Sequence, residues 1–292
     1  MKTQIPELHH LEKHLLRVIG HLNRDYNLIR PGNRILLAVS GGKDSLSMAV
    51  LLRRLQQRAP YEFKLEAVTL DTGIPESEAQ RLRDFFASLS IPYEIRKTNI
   101  NETIERVVKD PQNICTACAR FRRGILYDMA YQRQAVLALG HHADDAMETL
   151  LMNIFFTGKL QAMPPQLVSD DKRNRLIRPL LYCRERELSR YAQLVEAPIT
   201  RCWCMAGCDL SDRQRARMKR LIHDFETKYP DTGRHILAAC ANCKPSNLMD
   251  MRLWNFVDMR ASWEIDTPHL LKPCVQEKWS IHFSHDNKKQ TT

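Results

Sequence analysis

The sequence predicts an α/β fold: a parallel sheet covered by helices on both faces, with a helical N-terminal segment and a small helical C-terminal region. Three observations predict it. Short, nearly continuous apolar runs alternate with stretches of helical periodicity, as expected of strands buried on both faces and linked by crossover helices. Polar punctuation follows those runs in "SGGKDS", "DTG" and "GHHADD", where open α/β sheets bind ligands. From about residue 190 the strand signals fade and the periodicity turns helical.

Residues 7–24 place Leu8, Leu11, Leu15, Val18, Ile19 and Leu22 on one helical face. "NRILLAVSGG" reads as a buried strand ending in glycines, and "DSLSMAVLLRRLQQ" as a helix with Asp44 or Ser45 placed to cap its first turn. "FKLEAVTLD" (63–71) is a strand, "ESEAQRLRDFFASL" a helix and "YEIRKTNI" a strand. A helical stretch then passes through "CTACARFRRGILY", followed by the strand "AVLALG" (135–140) and the helix "DDAMETLLMNIFF". "DRQRARMKRLIHDFETKY" and "GRHILAACANC" continue as helices, whereas the last thirty residues lack strong periodicity. The expected organisation is a helical segment over 1–30, an α/β domain over 31–190, a cysteine-containing helical region over 191–261 and a partly flexible extension over 262–292.

The 292 residues suffice for a substantial core, and 43% hydrophobic with 27% charged residues is ordinary for a soluble globular chain. No run of about 18 apolar residues is present, so no membrane span is expected. The first residues lack a signal peptide's apolar region, and the expected location is cytoplasmic. The net charge of +10 suits a polyanion such as nucleic acid. Its basic residues bunch at Arg120, Arg122 and Arg123, at Lys172, Arg173, Arg175 and Arg178, and at Arg213, Arg215, Arg217, Lys219 and Arg220. Solvated helix faces are the plain alternative for each bunch.

In a reducing compartment nine cysteines point to metal, cluster or catalytic thiols more than to disulfides. They cluster as Cys115 and Cys118, as Cys202, Cys204 and Cys208, and as Cys240 and Cys243. Cys183 and Cys274 stand alone and read as buried thiols.

"SGGKDS" is the sharpest single motif. Glycines let the backbone turn and approach a ligand, and the N–H groups of the following helix form an anion site. Ser40, Gly41, Gly42, Lys43, Asp44 and Ser45 are the expected phosphate-binding residues. The spacing is not that of a Walker A loop. It resembles the PP-loop of the N-type ATP pyrophosphatases, which split ATP to AMP and pyrophosphate while adenylating a substrate. That resemblance implies the adenine nucleotide alpha hydrolase-like fold.

With "SGGKDS", the stretches "CTACARFRRGILY", "LGHHADDAMETLLMNIFFTGKLQAMPP" and "IRPLLYCRERELSRYA" resemble the tRNA 2-thiocytidine synthetases over most of residues 10–260. The resemblance implies that ATP activates C2 of the cytidine at tRNA position 32. A [4Fe–4S] cluster held by three cysteines would then supply the sulfur. Cys115 and Cys118 match the first two ligands. Counting forward from Pro198 puts the third at Met205 and counting back from "KYP" at Gly207, so Cys208 is the first candidate and Cys204 the second.

Asp144 and Asp145 are candidates to hold Mg²⁺ or assist activation, with plain helix capping as the alternative. Lys43 and Arg122 are expected to act catalytically on phosphate or leaving group, and Asp71, Gly140 and His141 to contact the nucleotide. Arg123 shares the place of Arg122 beside the CxxC. Cys240 and Cys243 fit either a zinc site with spare cysteines of the 202–208 group or two buried thiols on successive turns of one helix. The expected partners are tRNA, a cysteine-desulfurase-type sulfur donor and a second copy of the chain. Competing readings are thiolation of a uridine, another PP-loop tRNA ligase such as a lysidine synthetase, and a zinc-stabilised RNA-binding relative without catalysis.

Overall fold

The computed structural model describes residues 4–110, 114–200 and 214–262. Two compact units divide at Cys240. The first opens with α1 (Gln4–Tyr26), whose apolar stripe buries Leu15, Leu16, Ile19 and Leu22. Then come β1 (Arg34–Ala38), α2 (Lys43–Arg58), β2 (Lys64–Asp71), α3 (Glu76–Ser88) and β3 (Tyr93–Lys97). After α4 (Ile100–Val107) and α5 (Ile114–Gln132) follow β4 (Val136–Ala138), α6 (Ala143–Thr157), β5 (Gln166–Val168) and β6 (Arg175–Ile177). Three helices close the unit: α7 (Glu185–Leu194), α8 (Gln214–Lys228) and α9 (Thr232–Ala239).

The six strands lie in the order β3-β2-β1-β4-β6-β5, all pairs parallel except β5 against β6. Leu37 of β1 stands between Ala67 of β2 and Ala138 of β4. Alternate residues of each strand face opposite cores, which is why these strands read as continuous apolar runs. Ile35, Leu37, Leu65 and Ala67 pack with α1, α2, α3, α6 and α7. Leu36, Val68, Leu70, Leu137 and Leu176 pack with α4 and α5.

Strand order reverses between β1 and β4: the chain winds outward from β1 to β3, then returns to place β4 on β1's other side. Such a switch point opens a crevice beyond the carboxyl ends of the two strands. Both glycine-bearing loops, after β1 and after β4, end there.

Two structural expectations change. β5 and β6 carry no sequence signal of their own, because each spans three residues and β5 is an antiparallel edge with Val168 exposed. The helix expected over "GRHILAACANC" stops at Ala239, and the described residues from there to 261, expected as a helical region, hold no further α-helix. In the second unit Pro245–Asn247 form one 3₁₀ turn, and β7 (Trp254–Asn255) pairs antiparallel with β8 (Arg260–Ala261). Asn255 Oδ1 accepts the N–H groups of Val257 and Asp258 at 3.0 and 3.1 Å, an alternative to helical bonding that turns the chain. Among the described residues no helix is long and apolar enough to cross a membrane.

Candidate active site

The loop after β1 is braced from within. Ser40 N–H donates to Ser45 Oγ at 3.2 Å, and Ser45 Oγ donates to the Gly42 carbonyl at 2.9 Å. α2 therefore starts differently from the sequence expectation: Gly42, not Asp44 or Ser45, occupies the N-cap position, and no side chain caps it. Its first N–H groups stay available to an anion, with the helix dipole behind them. Gly41 has φ +79°, and a Cβ there would lie 1.9 Å from Thr200 Oγ1. Gly140, after β4, would bring a Cβ within 3.2 Å of the Ser45 backbone. The second glycine thus lets the two loops touch.

Between them lies a cavity of about 780 Å³, a size that suits a nucleotide together with part of a second substrate. Ser40, Asp44, Ser45, Gly140, His141 and Asp145 line it, together with Arg122 and Arg123 from α5. Eight residues singled out in the sequence thus converge. Asp44 Oδ1 and His141 Nδ1 are buried there without a hydrogen-bond partner. Burial lowers the His141 pKa to about 4, against the opposing pull of Asp145, so its imidazole is neutral near pH 7. His142 caps α6: its Nδ1 accepts the Asp145 N–H at 3.4 Å, and Asp145 Oδ2 accepts the His142 N–H at 3.0 Å.

The wall formed by α5 carries Ala119, Arg122, Arg123, Leu126 and Tyr127, spaced as one helix face. Cys115 and Cys118 stand four residues before Ala119 and Arg122, hence on the same face one turn nearer the helix start. Cys118 is buried and Cys115 half-buried. Cys202, Cys204, Cys208 and Cys274 lie outside the described residues, as does Arg213. Among the described residues no group of three metal-ligating side chains comes together.

Five predicted residues do not line the cavity: Gly41 and Gly42, whose part is the backbone turn of the loop, and Lys43, Asp144 and Asp71. Lys43 Nζ reaches Asp44 at 2.9 Å and Glu185 of α7 at 3.1 Å, bonds that hold its ammonium above the usual range although burial opposes them. Asp144 binds Arg184, with Nη2 at 2.9 Å, and accepts the Glu185 N–H at 2.6 Å, so it anchors the start of α7. Asp71 Oδ1 accepts the N–H groups of Gly73 and Ile74, both at 2.9 Å, bracing the turn after β2.

The basic bunch at 172–178 is not one exposed surface. Arg175 is tied to the Leu28 carbonyl and to Asn33, while Arg178 is buried on the cavity wall. The bunch after residue 213 turns partly inward: Arg215 Nη1 lies 3.3 Å from Asp145 and 3.1 Å from Glu148, and Lys219 bonds Glu185. Cys183 is fully buried, and burial raises its thiol pKa strongly, as expected of a core thiol. Cys240 and Cys243 are both exposed and lie beyond the end of α9, which removes the reading of two buried thiols on one helix.

The family model described as a PP-loop domain matches residues 9–199. The tRNA-cytidine(32) 2-sulfurtransferase of Burkholderia mallei strain SAVP1 is 41% identical over 258 residues, which cover 88% of this chain and 77% of that protein. The protein of the same description from Burkholderia pseudomallei strain 668 shows the same identity and coverage. Among solved structures, the U34-tRNA thiolase NcsA from Methanococcus maripaludis, with its [4Fe-4S] cluster, superposes with a TM-score of 0.63 at 25% identity, over 79% of this chain and 78% of that one. With its phosphate loop, its switch-point cavity and its cysteine-bearing wall in place, the chain belongs to the PP-loop family and, within it, to the tRNA-cytidine(32) 2-sulfurtransferases.

Proposed function

We propose that this chain thiolates tRNA in an ATP-dependent reaction, at C2 of the cytidine at position 32 of the anticodon loop. One observation carries the reading: the α5 face that walls the cavity also bears Cys115 and Cys118, one turn or about 6 Å from Ala119 and Arg122. One wall of the cavity and a pair of thiols thus share one helix.

The residues present fit the groups the reading needs. The uncapped α2 start and the two serines suit the pyrophosphate of ATP. Asp44, with its unpartnered Oδ1, and Asp145 supply the hard oxygen donors that suit Mg²⁺. Cys115 and Cys118 supply two thiolates for a [4Fe–4S] cluster. Cys208, or Cys204 in its place, is the proposed third ligand. The described residues flanking that segment both touch the site: Thr200 N–H donates to the Gly41 carbonyl at 2.9 Å, and Arg215 pairs with Asp145. Zinc at Cys240 and Cys243 stays a proposal that needs ligands outside the described residues.

When bound, ATP would turn the C2 oxygen into an adenylate leaving group and the cluster would present sulfide to C2. The chain's part is positional and electrostatic. Asp145 is held by His142 and Arg215, so its carboxylate has one orientation toward the cavity. Arg122 and Arg123 set positive charge where the phosphate of the leaving AMP is released. A splayed anticodon loop can deliver one pyrimidine into such a cavity. The reading extends to a cysteine-desulfurase-type donor, a homodimer and a cytoplasmic setting.

The test is anaerobic incubation of the protein with ATP, Mg²⁺, a sulfide source and unmodified tRNA, followed by nucleoside mass analysis. We expect 2-thiocytidine at position 32, with AMP and pyrophosphate released. Thiouridine instead would move the chain toward the activity named for its structural neighbour. Absence of sulfur in any nucleoside, with iron-loaded protein and ATP present, would overturn the reading.

A further inference from the structure

We infer that Arg178 binds a phosphate-ester group inside the cavity, on the side that β6 walls. The inference rests on the ATP-dependent reading above and adds a residue to it.

Arg178 directly follows β6, the strand next to β4, and so stands two strand spacings, about 10 Å, from β1. Only 9% of the residue is exposed, and it lines the cavity. A guanidinium keeps its charge at any ordinary pH, so burial here means a buried cation. That cation has little to compensate it. Nη1 donates to the Pro164 carbonyl at 2.6 Å, while Nε is buried without a partner. Among the described residues Arg178 forms no ion pair.

The carboxylate best placed to answer it is committed elsewhere. Asp145 Oδ1 lies 3.3 Å from Arg215, and Asp145 Oδ2 accepts the His142 N–H. A buried charge without a counter-charge destabilises a fold, and such sites persist where a ligand supplies the compensation. With Nη1 tied back to Pro164, the Nε–Nη2 edge of the guanidinium remains. Its two parallel N–H groups match two oxygens of a phosphate. Met163, Leu167 and Leu176 line the cavity with it, beside Ser169 and Asp170, and the apolar part of that lining strengthens a charge-assisted bond formed there.

Two sources could bring that phosphate. One is the α-phosphate of the nucleotide, which must be neutralised for the base oxygen to attack it. The other is the phosphodiester of the inserted RNA nucleotide. The β- and γ-phosphates already have the α2 start.

The experiment compares wild type, Arg178→Met and Arg178→Lys in equilibrium binding of inorganic pyrophosphate, AMP, a non-hydrolysable ATP analogue and unmodified tRNA, with thermal melting of each ligand-free protein. If the α-phosphate is the ligand, Arg178→Met weakens AMP and the analogue about tenfold or more and leaves pyrophosphate and tRNA unchanged. If RNA supplies the phosphate, tRNA alone weakens. In either case Arg178→Met melts no lower than wild type, since it removes an uncompensated charge from the interior. Lysine, which keeps the charge and loses the fork, should restore binding only in part.

Unchanged affinity for AMP, analogue and tRNA in both variants would overturn the inference. So would full binding by Arg178→Lys with a lowered melting temperature in Arg178→Met, which would make the arginine a structural cation. Should Arg178→Met not fold, the lysine variant alone decides: full affinity for every ligand overturns the assignment and partial loss supports it. Failure of the wild-type protein to bind either pyrophosphate or the ATP analogue would instead overturn the ATP reading, a separate result.

Discussion

Thr200 closes over Gly41: its N–H donates to the Gly41 carbonyl at 2.9 Å, and its Oγ1 fills the space a side chain at residue 41 would need, 1.9 Å from the ideal Cβ. The phosphate loop is therefore pinned from outside by the last described residue before the cysteine-rich segment. Gly41→Ala meets two separable penalties. The φ of +79° costs a non-glycine residue about 1–2 kcal/mol, and the clash with Thr200 adds to it. We expect Gly41→Ala to lower the melting temperature and abolish ATP binding. Adding Thr200→Ala should recover the steric part and leave the backbone part, a non-additivity that a double-mutant cycle of chemical unfolding measures.

Asp144 and Asp145, adjacent in sequence, are expected to fail differently. Asp144 joins Arg184, itself paired with Glu226 at 2.8 Å, and its side chain is only 16% exposed. Asp144→Asn leaves the half-buried Arg184 short of one counter-charge and should cost about 2 kcal/mol of stability. Asp145 faces the cavity, so Asp145→Asn should keep most of the stability and lose Mg²⁺-dependent turnover by at least about a hundredfold. Equal loss of stability in the two variants would contradict this division.

Strands β1 to β4 and both glycine loops were legible because a buried parallel strand shows itself as an apolar run and a phosphate loop must carry small residues in order. β1, β2 and the helices between them follow that pattern closely. Side-chain direction was not legible. Asp71, Asp144 and Lys43 have the right residue types at the right strand ends, yet hydrogen bonds with Gly73, Arg184 and Glu185 draw each away from the cavity. Arg178 showed the opposite error. In sequence it is one of four basic residues within seven positions, and only the antiparallel edge strand β5, itself too short to leave a pattern, folds the Pro164 carbonyl over it.

His141 gives the site a pH signature. Its folded pKa is near 4 because burial disfavours the imidazolium, whereas an unfolded histidine titrates near 6.5. Between those values the unfolded chain holds a proton that the folded chain does not. Stability should therefore fall as pH drops from about 6.5 to about 4, by up to about 1.4 kcal/mol per pH unit from this residue, with no further loss below. His141→Gln should flatten that part of the stability curve relative to wild type. The same slope in both proteins would show that His141 is solvated.

The cysteines divide by where their helices put them. Cys115 and Cys118 share the α5 face that walls the cavity, so Cys115→Ser and Cys118→Ser should each strip iron from protein purified without oxygen. Cys208→Ser should do the same, while Cys204→Ser retains iron if Cys208 is the third ligand. Cys240 is exposed beyond α9, and Cys240→Ser should keep both iron and activity. Arg215 offers a subtler test, because it joins α8, the helix after the cysteine-rich segment, to Asp145, Glu148 and Thr149 on α6. Arg215→Gln removes no ligand and leaves the carboxyl of Glu148, which burial already pushes upward in pKa, without its cation. We expect iron retained at first but lost faster to a chelator, and turnover reduced by about tenfold. Chelator-resistant iron with unchanged turnover would mean that the α8 clamp on Asp145 has no part in holding the third ligand.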